Sequence, residues 1–404
     1  MEPTVFLFDL DGVMVKPGGY RAAVRATVNH FTNQLGLGDL APDDETVAIF
    51  EAQGITCEWD MVPLLLTLTL EAAAARLGRP VSWASFQAAC DELRARPLEP
   101  LVIDFAPLLR ALGRYVQPGQ APSDTVLLAS QDGASPFPLL AGQGVLAELL
   151  SHTRRLEHSR TSRVFETFAL GDEFYAKAMG LPAEVRSESL LDKYDRPLLS
   201  GETRDRLRLL RDSSGLRMAA YTARPSIPTS PIGELLAIFS PEGEMALNCI
   251  GWHELILIGS GQAGEAAHQL GEHEERLIKP APYHAIAAAA AAWTGDRQAA
   301  LEWMQQVFCF AERQADPPPL ETPAGDLPPR LNLHIFEDSP AGMRGGLGAV
   351  QLLAQLGMQV SLSLWGISSH PEKAAALRSV GAQVYADVNQ AVAAALDSVS
   401  AASY

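Results

Sequence analysis

The sequence predicts an α/β fold: a doubly wound parallel sheet interrupted by an inserted, mostly α-helical domain. Three observations predict it. Short apolar runs rich in bulky and branched residues recur at the start and in the second half of the 404-residue chain, as suits strands buried on both faces of a parallel sheet. Helical patterns separate most of those runs, the alternation that winds a sheet on both sides. Residues 19 to 212 instead carry helical periodicity with few strand signals.

The first run, Thr4-Val5-Phe6-Leu7-Phe8, closes on Asp9, and Gly12 follows as a turn signal. Tyr20 to Leu35 then puts Ala23, Val24, Thr27, Val28, Phe31 and Leu35 on one side of a helix. Asp43 and Asp44 read as a helix start before 46–52, and the helical pattern continues through 59–77, 83–94, 105–112, 145–156 and 164–179. Residues 117–138, rich in Pro, Gly, Ser and Asp, read as a long loop. Further strands are expected at 216–221, 253–258, 331–336, 360–365 and 383–385. Further helices are expected at 282–293, 297–313, 340–356 and 371–380, and a second proline-rich stretch fills 316–330. The division drawn from this pattern is a core of residues 1–18 and 213–404 and an inserted helical domain of residues 19–212.

Hydrophobic residues at 47% and charged residues at 20% provide a sizeable core and argue against disorder. Lys and Arg number 31 against 48 Asp and Glu, a net charge of −17. Such a chain repels phosphate backbones and anionic lipid, so neither nucleic acid nor a membrane is expected as partner. Cys57, Cys90, Cys249 and Cys309 form no Cys-x-x-Cys pair and have no zinc spacing with histidine, so they read as reduced thiols. No basic segment followed by an apolar run opens the chain, and no apolar stretch of about 18 residues appears; a cytoplasmic protein without signal peptide or span is expected.

Asp9 and Asp11 close the first buried strand. Where the chain stays extended they share a face, in the crevice where open α/β sheets bind ligands. Thr222, Lys279 and the pair Glu337-Asp338 lie at other strand ends or at a helix start, and the ends of parallel strands converge on one edge. Each has a plainer reading. Asp9 and Asp11 suit an Asx turn, Lys279 a solvated loop, and Ser339 before Pro340 a helix N-cap. Arg21 and Arg25 suit surface ion pairs more than contact with an anionic substrate, Trp59 suits the core of the helical insert, and Arg224, beside Thr222, suits an anion contact and an ion pair equally.

Asp9-Leu10-Asp11-Gly12-Val13, Thr222-Ala223-Arg224-Pro225, Lys279-Pro280 and Glu337-Asp338-Ser339-Pro340-Ala341-Gly342, in that order, resemble the four motifs of the haloacid dehalogenase superfamily in its phosphatase branch. The match covers the N-terminal strand and the stretch from residue 215 to residue 390. The helical insert is similar to the cap of the subfamily that includes phosphoglycolate phosphatase and β-phosphoglucomutase. The resemblance implies a Rossmann-type core and the roles that follow. Asp9 is the nucleophile and becomes an aspartyl-phosphate; Asp11 is the general acid and base. Mg²⁺ binds the Asp9 carboxylate, the Asp11 backbone carbonyl and Asp338. Thr222 and the Ala223 N–H hold the phosphoryl oxygens, Lys279 offsets charge, and Glu337 is either a direct ligand of the ion or a support behind it; Arg224, next to Thr222, is the other candidate supporting residue. Ala223 stands where glycine is common in relatives, and the cap is longer than usual. The implied function is Mg²⁺-dependent hydrolysis of a small phosphorylated metabolite. A phosphomutase with the same residues and a non-catalytic binding protein of the same fold are the alternatives. Dehalogenation is disfavoured because such relatives lack the second aspartate. Phosphonate cleavage is disfavoured because the cap holds only Lys177 and Lys193 beyond Lys16.

Overall fold

The computed structural model describes residues 2–117, 120–322 and 325–401. The chain forms two compact units. One, the core, comprises Met1–Pro17, Asp195–Gly233 and Ile238–Tyr404; the other comprises Gly18–Tyr194 and Glu234–Ala237.

The core is built on six strands, β1 (Thr4–Phe8), β2 (Arg217–Tyr221), β3 (Ile256–Ile258), β4 (Arg330–Glu337), β5 (Gln359–Ile367) and β6 (Gln383–Tyr385). They pair in parallel in the order β6-β5-β4-β1-β2-β3. This is the doubly wound, Rossmann-like order, whose direction of winding reverses beside β1 and opens a crevice at the strands' carboxyl ends. The expected strands are all present within a few residues of their predicted bounds. β1 shows why its run is apolar throughout. Val5 and Leu7 pack into one buried cluster with Ala219, Tyr221, Leu333 and Ile335. Phe6 and Phe8 pack into another with Met218, Ala220 and Phe336. Alternate side chains face opposite sides of the pleat, and both sides are covered. Helices Pro282–Thr294, Arg297–Arg313 and Pro340–Gln355 contribute to the first cluster, and helix Val388–Ala401 to the second.

The boundary between the units differs from the one drawn on the sequence at 212/213. The chain re-enters the core at Asp195. Arg196–Pro197 pairs antiparallel with Val15–Lys16. Helix Gly201–Ser214 buries Leu207 in the cluster that holds Phe6 and Phe8. Its periodicity is helical like that of the insert, and periodicity says nothing about which surface a helix covers. A short later segment, Glu234–Ala237, belongs to the helical unit, where Leu156 N donates to Leu235 O at 3.1 Å and Ala237 N to Arg154 O at 2.9 Å.

Within the helical unit the expected elements mostly form, including Gly19–Gln34, Glu58–Leu77 and Phe105–Leu112. Three expectations are corrected. The stretch 164–179 is two helices, Arg160–Leu170 and Asp172–Met179, divided at Gly171 with φ +84°. A Cβ there would stand 2.8 Å from Ser189 N, so both the turn and the close packing require glycine. The stretch 145–156 ends as helix at Leu150, followed by Ser151 in extended conformation and His152 at φ +56°. The expected loop 117–138 contains helix Pro122–Gln131, begun by a proline at a first-turn position that needs no N–H donor; Pro118 and Gly119 lie outside the described residues. Among the described residues no helix is long and apolar enough to cross a membrane.

Candidate active site

Every group discussed here belongs to the core unit unless stated. Asp9 continues β1, its N–H donating to Phe336 O at 2.9 Å, and its side chain is buried. Oδ1 of Asp9 accepts from Leu10 N at 2.8 Å and faces Lys279 Nζ at 2.8 Å. Lys279 Nζ also donates to Glu337 Oε1 at 2.7 Å and stands 4.4 Å from the centroid of the Tyr221 ring. Glu337, at the end of β4, is fully buried. Its Oε1 is engaged by Lys279 and by the Tyr221 hydroxyl, which donates at 3.4 Å. Its Oε2 accepts from Asp338 N, Ser339 N and Ser339 Oγ at 3.0, 3.1 and 3.0 Å. Glu337 is thus saturated by protein donors and acts as the pin that holds Lys279 and the following turn.

Asp338 reaches back towards β1 and pairs with Lys373. Gly12, at φ +73°, makes that approach feasible, because a Cβ there would overlap Asp338 Oδ2. Carboxylate oxygens of Asp9, Glu337 and Asp338 lie within 4.8 Å of one another. That spacing and an all-oxygen donor set suit a hard divalent cation. Glu337 is engaged by protein donors through both oxygens, whereas the contacts of Asp9 to Leu10 N and Lys279 use Oδ1 and that of Asp338 to Lys373 uses Oδ2, so each of these two could still offer an oxygen to such an ion.

The electrostatics point the same way. Burial holds the Asp9 carboxyl well above its usual range; Glu337 adds to this and Lys279 opposes it. Burial also pushes Asp338 up to about 6, against the opposing charge of Lys373. Burial alone would pull the Lys279 ammonium down, but Asp9 and Glu337 outweigh it and hold the group above its ordinary value. Three clustered carboxyls answered by two lysines leave a site short of positive charge.

Asp11 is turned elsewhere. Arg224 Nε donates to its Oδ1 and Oδ2 at 3.0 and 2.9 Å, and Nη2 donates to Oδ1 at 2.6 Å. Arg224 Nη2 also lies 2.9 Å from Asp195 Oδ2. Thr222 and Ala223 stand at the carboxyl end of β2, next to β1 through the register Phe8 to Ala220. Thr222 is buried; its Oγ1 accepts from Arg224 N at 3.1 Å, and its N–H donates to Ile258 O at 3.0 Å. Ala223 is exposed. The sequence-predicted residues therefore form two linked groups. Asp9, Lys279, Glu337 and Asp338 are in mutual contact; Asp11, Arg224 and Thr222 form the second, and Asp9 and Asp11 are two residues apart on the chain.

Asp195, Lys373 and Tyr221 were not signalled by the sequence. Asp195 precedes Arg196-Pro197 within what reads as helical insert, and Lys373 opens a helix after β5; neither sits in a recognisable motif. In the helical unit, Arg21 pairs with Asp44 and Glu51 at 3.5 and 3.3 Å, and Arg25 pairs with Asp44. Trp59 is nearly buried and donates to Glu166 Oε1 at 2.7 Å. Ion pairing and core packing account for all three.

No family model and no curated protein matches the chain. Among solved structures, it is similar to a protein determined by X-ray crystallography as a Northeast Structural Genomics Consortium target, at 14% identity and a TM-score of 0.60 over 99% of this chain and 99% of that one. It also resembles phosphatase Tt82 from Thermococcus thioreducens, at 14% identity and a TM-score of 0.41 over 89% of this chain and 92% of that one. At such identities likeness bears on the fold, and the first of these supports the mixed α/β architecture over its whole length.

Proposed function

We propose that this protein is a phosphatase of the haloacid dehalogenase type, hydrolysing a small phosphate monoester through Asp9. The observation that carries the reading is the contact of Asp9 with Lys279 and its clustering with Asp338 at the carboxyl edge of the sheet, with Asp11 following on the same strand end. An Asp9 oxygen attacks phosphorus as the bond to the ester oxygen breaks, and Asp11 gives that oxygen its proton. Water then attacks the aspartyl-phosphate, its proton passes to Asp11, the bond between phosphorus and Asp9 breaks, and phosphate leaves with the Asp9 carboxylate restored. Thr222 and the Ala223 N–H hold phosphoryl oxygens, and Lys279 offsets charge that gathers on them. A Mg²⁺ ion held by Asp9, the Asp11 carbonyl and Asp338 would supply the positive charge that lets an anionic nucleophile approach an anionic ester. Purified protein should release phosphate from p-nitrophenyl phosphate with Mg²⁺ and lose the activity with EDTA. Asp9→Asn should lower turnover by at least about 10³-fold; an Asp9→Asn protein with wild-type turnover would sink the assignment.

A further inference from the structure

We propose that Arg224, anchored by Asp195, is a positioning residue that fixes the Asp11 carboxylate for proton transfer; this rests on the phosphatase reading above. The Arg224 side chain is 1% exposed, and that of Asp195 4%, whereas that of Asp11 is 32% exposed. The guanidinium that holds Asp11 and the carboxylate that anchors it are thus sealed, and the carboxylate of Asp11 is open. The Nε and Nη2 edge of the guanidinium runs along the Asp11 carboxylate, with contacts of 2.6 to 3.0 Å. A planar fork meeting a carboxylate along its edge sets both the position and the plane of that carboxylate, which an ammonium does not.

The two oxygens of Asp11 are left unequal. Oδ1 accepts from both Nε and Nη2, and Oδ2 accepts from Nε alone. Oδ2 therefore has the fewer guanidinium contacts, and the transferred proton is assigned to it. In the first half-reaction that proton goes to the ester oxygen as its bond to phosphorus breaks. In the second, the attacking water returns a proton to Asp11. Arg224 gives and takes none. Asp195 holds the guanidinium from a second direction, through Nη2 at 2.9 Å. It is the first core residue after the helical insert, so the geometry of Asp11 depends on a side chain far along the chain.

Leaving-group dependence tests this. Proton donation is worth about 10²- to 10⁴-fold and matters least when the leaving oxygen is weakly basic. The readout is kcat/KM, which covers steps up to departure of the leaving group, for p-nitrophenyl phosphate and for an alkyl phosphate. Asp11→Asn is the reference and should lose far more on the alkyl ester. Arg224→Ala is expected to lower kcat/KM for the alkyl ester by at least about 100-fold and for the aryl ester by less than about 5-fold. Arg224→Lys, which keeps charge without the fork, should stay with the alanine variant on the alkyl ester. Asp195→Ala leaves Arg224 in place and should show the same selectivity at smaller amplitude; it carries the test if Arg224→Ala folds poorly. Selective loss in Asp11→Asn with equal losses on both esters in Arg224→Ala and Asp195→Ala overturns the role of Arg224 alone, as does full rescue by lysine. A wild-type protein that hydrolyses neither ester overturns the phosphatase reading and this proposal with it.

Discussion

Lys279 stands between two buried carboxylates, Asp9 and Glu337, with its side chain 8% exposed. Charges taken so far from water persist only while each has its partner, and removing one partner of a buried pair costs about 3–5 kcal/mol. Lys279→Met should therefore destabilise the folded protein by roughly that amount at pH 7 and abolish turnover. The sign of its pH dependence follows from Asp9, whose carboxyl is already held above its usual range by burial. Without Lys279 the folded state binds still more protons than the unfolded chain, so the deficit should shrink as pH falls from 7 towards 5. Urea denaturation of both proteins at the two pH values measures this, and a Lys279→Met protein as stable as wild type at pH 7 refutes it. The residues of this centre were legible in the sequence because each ends a buried strand or opens a helix. Their partners were not. Nothing local couples Asp11 to Arg224, or Arg224 to Asp195, since these pairs arise from strand order and chain return, which leave no mark on spacing.

At the scale of elements, the start of helix Pro340–Gln355 does two tasks at once. Ser339 Oγ accepts from Gly342 N at 3.2 Å, capping the helix. The same hydroxyl donates to Glu337 Oε2 at 3.0 Å, so the helix cap and the pin of the candidate site share an atom. Ser339→Ala should cost about 1–2 kcal/mol, at the upper end of cap losses because a buried carboxylate oxygen also loses a donor. The expected result is a lower urea midpoint at unchanged m-value, with Ser339→Thr close to wild type; an alanine variant of unchanged midpoint contradicts the shared role. Elements with a strong period and a clear stop were legible, as in β1 and in Pro282–Thr294. Helix Pro122–Gln131 was missed because its flanks are rich in Pro, Gly and Ser and composition outweighed its own short period. The break at Gly171 was missed because glycine inside a helical pattern is often tolerated, and only the neighbouring Ser189 backbone makes it obligatory.

Over the whole molecule, the doubly wound class followed from alternating strand and helix patterns, but the place where the chain re-enters the core did not, because helix Gly201–Ser214 carries the same periodicity as the insert. The core also contains two buried histidines whose neutrality ties global stability to pH. His284 lies beneath the site. Its Nε2 lies 3.0 Å from Ile258 O, which can only accept, so Nε2 carries the proton; Nδ1 accepts from Lys279 N at 3.4 Å. Burial, with Lys279 adding to it, pushes His284 down to about 3. On β4, His334 Nδ1 accepts from Trp365 Nε1 at 3.0 Å, and burial pushes this ring down to about 4. Both folded-state values lie below the unfolded value near 6.5. The unfolded chain therefore binds more protons between them, and the stability each ring contributes is present above about pH 6.5 and is lost as pH falls below it. Buried carboxyls held high, Asp9 and Asp338 among them, act in the opposite sense over the same range, so the net slope of the wild type is a difference of the two. A single substitution isolates one side of that difference. Between pH 7 and pH 5 a histidine kept neutral in the fold loses about 2 kcal/mol against its unfolded counterpart. His284→Gln, compared with wild type by urea denaturation in EDTA, should be the less stable protein at pH 7, and its deficit should shrink by about that amount at pH 5. Parallel loss of stability in the two proteins over this interval would show that His284 does not enter the fold as the neutral ring its hydrogen bonds require.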